Sequence, residues 1–220
     1  EIYTLSLHDA LPICDPQAVD NFNNTPLMFA SMSSLSCVKY LVQKGCNCYA
    51  STILNETVLD FSACGGQTDI VDYYISECKF DAYTRGWMGR TPLHSAAEYG
   101  QLNFLKHMVS KYKSDPECTD GNGDTPLHCA ASGGHIEIVK HLIQVHNCDP
   151  FETDVYGNTP LHDASRNGHL KVVKYFVESL LCPTDVKGSC GMTPLSWALF
   201  KGHYHIVRYL SEHTVQVPFL

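Results

Sequence analysis

The sequence lacks any apolar run near the ~18 residues that a bilayer-spanning helix requires, so no membrane insertion is expected. It is also short of positive charge. Fifteen Lys and Arg stand against 23 Asp and Glu, for a net charge of −8. Phosphate binding needs a basic face, and the few basic residues are dispersed, which excludes nucleic acid as the main ligand. At 17% charged and 44% hydrophobic residues, the chain has too little charge and too much apolar surface to be a disordered tail. Eleven cysteines are present, but the spacing of a metal site is missing. Cys46-Asn47-Cys48 has no matching second pair, and Cys37, Cys64, Cys78, Cys118, Cys129, Cys182 and Cys190 are scattered. The odd count and the absence of a secretory signal point to reduced thiols in the cytoplasm, with the nucleus as second choice. No glycine-rich phosphate loop and no Gly-x-Ser-x-Gly elbow occurs. Neither an enzyme, nor a cofactor, nor a metal site, nor a small-molecule substrate is therefore expected.

The chain opens on Glu1 rather than Met, and residues 1–13 read as something other than native protein. Glu-Ile-Tyr-Thr-Leu-Ser-Leu-His-Asp-Ala-Leu-Pro-Ile resembles the translation of a widely used sequencing adapter. Such a segment is not expected to contribute to the fold. Dropping it removes Glu1 and Asp9 but no Lys or Arg, so the chain stays acidic.

What the sequence does contain is a repeat. Thr-Pro-Leu-His begins at Thr91, Thr125 and Thr159, with looser copies at Thr25, Thr57 and Thr193, at intervals of 32, 34, 34, 34 and 34 residues. The Thr can cap a helix, and Pro at the first helical position has its φ preset. Gly100, Gly134, Gly168 and Gly202 follow nine residues later, suited to a left-handed residue closing a two-turn helix. Small residues such as Ala96, Ala97, Ala130 and Ala131 allow that helix to pack closely. A second helix follows, with an apolar stripe typified by Ile136, Ile138, Val139, Leu142 and Ile143. Gly89, Gly123, Gly157 and Gly191, two residues before each Thr, mark a tight turn.

Helix, turn, helix and projecting hairpin at this period resemble the ankyrin repeat. The resemblance implies an all-α repeat solenoid of about six 34-residue units, each a helix-turn-helix plus a β-hairpin or loop. The units expected are a tail of an upstream repeat at 14–24, degenerate repeats at 25–56 and 57–90, full repeats at 91–124, 125–158 and 159–192, and an incomplete one at 193–220. Cys14-Asp15-Pro16 matches Cys148-Asp149-Pro150 in its distance from the next Thr, which suggests that the array was longer upstream. The last stripe (Tyr204, Ile206, Val207, Leu210) has no polar capping face, which suggests more sequence downstream as well.

The resemblance also implies a concave protein-binding side made of hairpin tips and first helices. Its variable positions place Trp87, Met88, Arg90, Glu98 and Tyr99 there in the third unit, Val155, Tyr156, Asn158, Arg166 and Asn167 in the fifth, and Met192, Phe200 and Lys201 in the sixth. Trp, Tyr, Met and Arg are enriched at interface cores. The fourth unit (Gly121, Asn122, Asp124, Ser132, Gly133) reads as a flat saddle. Against this stands the plainer reading that Trp87 and Tyr156 simply pack on neighbouring hairpins.

His94, His128 and His162 are expected to link adjacent repeats, and His135, His169 and His203 to be structural. A row formed by Tyr73, His107, His141, Tyr175 and Tyr209 is expected to stack as a ladder, with a pH-sensitive seam as the alternative. Cys148 and Cys182 would lie one repeat apart, about 10 Å, beyond disulfide reach. The expected function is a scaffold for a partner protein of unidentified kind. The alternative is a regulatory or targeting segment of a larger enzyme, channel or ubiquitin-ligase adaptor.

Overall fold

The computed structural model describes residues 15–213. The adapter-like segment and the stretch after His213 lie outside the described residues. Six helix pairs follow one another: α1 Pro26–Ser31 and α2 Leu35–Gln43, α3 Val58–Cys64 and α4 Thr68–Ser76, α5 Pro92–Glu98 and α6 Leu102–Tyr112, α7 Pro126–Gly133 and α8 Ile136–His146, α9 Pro160–Arg166 and α10 Leu170–Lys174, α11 Pro194–Phe200 and α12 Tyr204–His213. Helix α10 runs on as a π-helical turn, Tyr175–Ser179.

Each first helix starts on the motif threonine. Thr25, Thr57, Thr91, Thr125 and Thr159 each form a capping box with the residue three positions on, and Thr193 accepts from the Ser196 amide. In the later units the first helix ends at glycine. Gly134 has φ +78° and Gly168 φ +86°, conformations in which a Cβ is strained. First helices stack on first helices, α1 on α3 through to α9 on α11, and each packs on its own second helix. The core runs between them, with Leu27, Val58, Ala96, Ala97, Phe104, Leu127, Val139, Leu161 and Phe176 all buried.

Among the described residues the projecting segments contain no β-strand, so the hairpin of the sequence reading is a tight turn. The turns take two forms, decided by whether the residue five before the motif threonine carries a side-chain oxygen (Asp20, Thr52, Asp120, Asp154) or is glycine (Gly86, Gly188). Where it is Asp, its carboxylate organises the turn: Asp120 Oδ1 accepts from the amides of Asn122 (2.8 Å) and Asp124 (3.0 Å), and Asp154 Oδ1 from Tyr156 (2.8 Å) and Asn158 (2.7 Å). Where it is Gly86, no such acceptor exists. There Met88 (φ +50°) and Gly89 (φ +73°) make a type I′ turn closed by the Arg90 amide on the Trp87 carbonyl at 3.0 Å.

The histidines hold the stack together. His94 Nε2 meets the Asp124 carbonyl at 2.9 Å, His128 the Asn158 carbonyl at 3.2 Å, and His162 the Val186 carbonyl at 3.0 Å. His135, His169 and His203 reach back to the Glu98, Ser132 and Arg166 carbonyls at 2.8, 2.8 and 3.0 Å.

The row led by Tyr73 differs from expectation. No ring pair joins two of its members among the described residues. Instead a lysine of the preceding unit lies over the ring: Lys39 over Tyr73, Lys140 over Tyr175 and Lys174 over Tyr209. His107 binds Asp72 at 2.7 Å, and Lys111 and Tyr112 share that carboxylate. The ten described cysteines are free thiols. Burial pushes Cys148 and Cys182 up to about 12, so both stay protonated and serve as small apolar groups.

Candidate partner-binding groove

Three cavities share walls along the side formed by turn tips and first helices. The first, about 280 Å³, is bounded by Asn24, Met32, Glu56, Phe61, Cys64 and Tyr99. The second, about 190 Å³, reuses Glu56, Cys64 and Tyr99 and adds Trp87, Arg90 and Glu98. The third, about 170 Å³, reuses Arg90 and Glu98 and adds Asp124, Ser132, Asp163 and Arg166. Shared walls make one groove that crosses the units beginning at Thr25, Thr57, Thr91, Thr125 and Thr159.

The repeat explains which residues line it. The positions before the threonine, and four and seven after it, recur at every step, because these side chains leave the turn and first helix on one side. The sequence reading used the first and last of these rows and missed the middle one: Phe29, Phe61, Ser95, Cys129, Asp163 and Trp197. Counting one further offset finds it. The reading also omitted the first two units, where exposed Phe29 packs edge-on against Phe61 at 6.0 Å between centroids.

Four of the expected residues come together at one place. Trp87 (43% exposed) and Tyr99 (58% exposed) wall the central cavity together with Arg90 and Glu98, which are joined as an ion pair. Met88, beside it at the tip, is exposed but lines none of the three cavities. Arg166 lies in the third cavity, bound to Asp163 at 2.8 Å and stacked 5.6 Å from the Trp197 ring centroid. Val155, Tyr156, Asn167, Phe200 and Lys201 are exposed outside the three cavities, and Met192 is half-buried. Asn167 donates to Ser132 Oγ at 2.9 Å.

Asn158 departs from the expectation. It is 4% exposed, its amide nitrogen donates to Asp154 at 2.8 Å, and its side-chain oxygen accepts from the Ser189 amide at 3.0 Å. A side chain so engaged ties two turns together and offers nothing to a partner. The fourth unit also departs from the flat saddle expected of it, since Asp124 and Ser132 wall a cavity.

That cavity is the most polar part of the groove. Burial, with Arg166 only partly opposing it, pushes the Asp163 carboxyl up to about 8. Burial and the neighbouring Asp120 and Asp154 raise Asp124 to about 6. Asp124, His128 and Asp163 approach one another within 4.8 Å, a grouping suggestive of a metal site. His128 is not free to ligate. Its Nδ1 accepts from the Thr125 amide at 3.2 Å, which leaves the proton on Nε2, where it faces the Asn158 carbonyl.

No helix among the described residues is long and apolar enough to cross a membrane. A family model described as ankyrin repeats (3 copies) matches residues 4–84, 48–120 and 93–180, and one described as ankyrin repeat matches residues 190–216. No curated protein matches the chain.

Proposed function

The chain belongs to the ankyrin-repeat family, whose arrays are generally protein-interaction modules, and on that premise we propose that it is a non-catalytic scaffold binding a partner protein on the concave side, along the groove. The observation that carries this reading is the central cavity. Trp87 and Tyr99 leave large apolar area exposed in the same cavity wall as the Arg90–Glu98 pair, on stacked helices and a hydrogen-bonded turn. Exposed aromatic area beside a ready ion pair is the composition of an interface core rather than of ordinary solvated surface.

The test is the double variant Trp87→Ala with Tyr99→Ala. Both side chains are exposed, so the fold survives, and capture of partner proteins from the source cell should fall at least about tenfold. A folded variant that captures the same partners undiminished would overturn the reading.

A further inference from the structure

Resting on that reading, we propose that the cavity between α7 and α9 receives the side-chain ammonium of a lysine from the partner protein, held by Asp163 and Asp124. The cavity holds three acids, Glu98, Asp124 and Asp163, and two arginines. Both arginines are engaged, Arg90 with Glu98 and Arg166 with Asp163 Oδ1. With all three acids ionised one negative charge exceeds the two guanidiniums, and the free cavity offsets it by holding a proton on Asp163, which an entering ammonium would displace. Asp163 Oδ2 is buried with no hydrogen-bond partner, in a residue only 4% exposed that walls the cavity. Asp124 has no ion pair within 4 Å among the described residues, and its carboxylate lies within 4.8 Å of that of Asp163. A buried acceptor without a donor is costly, and a donor arriving with positive charge relieves both the missing hydrogen bond and the crowding of two acids.

The geometry selects the kind of cation. A guanidinium binds best by placing two N–H groups on both oxygens of one carboxylate. Asp163 offers one oxygen, because Arg166 holds the other. An ammonium is a compact point donor and suits two single oxygens from two residues. A metal ion fits less well, since both nitrogens of His128 are engaged and two guanidinium groups stand beside the cavity. The raised carboxyls of Asp124 and Asp163 agree with a site lacking its cation.

The experiment is an amide NMR titration of the chain with N-acetyl-lysine amide. It reads the cavity directly, so its result stands whether or not the wider groove captures a partner. Saturable shifts centred on Asp124, Ser132 and Asp163 are expected at millimolar concentration, the range open to so small a ligand. N-acetyl-arginine amide should bind several-fold more weakly, and lysine acetylated on both nitrogens should cause no shift. Asp163→Asn and Asp124→Asn should each weaken the response at least about tenfold. If the Asp163→Asn variant, altered at a buried position, does not fold, Asp124→Asn at a half-buried turn position carries the test. Absence of shifts at these amides, shifts unaffected by Asp124→Asn, or equal shifts from the doubly acetylated probe would overturn the proposal. So would zinc or magnesium saturating the same amides at micromolar concentration, which would make the site a metal site.

Discussion

His94 Nε2 lies 2.9 Å from the backbone oxygen of Asp124, the residue that precedes the threonine of the next unit. The same ring accepts the Thr91 amide on Nδ1 at 3.2 Å. One buried imidazole thus starts its own helix and fastens the following turn. Burial pushes it down to about 4, so it remains neutral and able to fill both roles at physiological pH.

His94→Leu keeps the volume and removes the bonds to the Asp124 carbonyl and to the Thr91 amide and hydroxyl, leaving the Thr91 amide without its side-chain acceptor. The expected loss of stability is about 1–3 kcal/mol. His135→Leu, at a half-buried position with a single bond to Glu98, should cost less. Urea unfolding of the two variants checks the ranking.

The buried titrating groups set a pH optimum. His94, His128 and His162 are held below their ordinary range by burial, so the unfolded chain binds more protons below pH ~6.5 and acid weakens the fold there. Asp163 has the opposite sign. Its carboxyl is raised to about 8, so the folded chain holds a proton that the unfolded chain has released above pH ~3.9, and stability falls as pH rises through that window. Asp60 and Asp124, each raised to about 6, act the same way over a narrower span. The thermal midpoint should therefore peak near pH ~6–6.5. It should decline toward pH ~8, and Asp163→Asn should flatten that decline.

The array should open from the first units. Met28 and Asp60 stand where the units beginning at Thr91, Thr125 and Thr159 have histidine, as Ser196 does in the last. Asp60 caps Thr57 at 2.8 Å, but an ionised carboxylate has no N–H to offer the next turn. Hydrogen exchange should be fastest over residues 20–80, and strongest protection there would contradict this. Asp60→His, by supplying a donor toward the Arg90 carbonyl, should raise stability by about 1 kcal/mol.

Much of this was legible in the residues. Capping threonines, the proline after them and the left-handed glycines act within a few positions, so spacing alone places the helices. The groove was only partly legible, because its walls meet across units. Asp163 looks unremarkable in sequence, and it matters because Asp124 of the preceding turn comes close. The misplacement of Asn158 has a local cause. Asp154, four residues earlier, takes its amide, as Asp20 takes that of Asn24 at 2.8 Å. Arg90 has Gly86 at that place instead of an acid, so its side chain is free to enter the groove and meet Glu98.

The most direct measurement of the account is site-specific photo-crosslinking in the source cell, with a benzophenone side chain placed in turn at Tyr99 and at Val145. Both positions are more than half exposed, at 58% and 59%, but only Tyr99 walls the groove, while Val145 lies on a second helix. A discrete partner should be trapped from position 99, and position 145 should trap none of it. The same partner trapped from position 145 and absent from position 99 would place binding on the second helices and contradict the account.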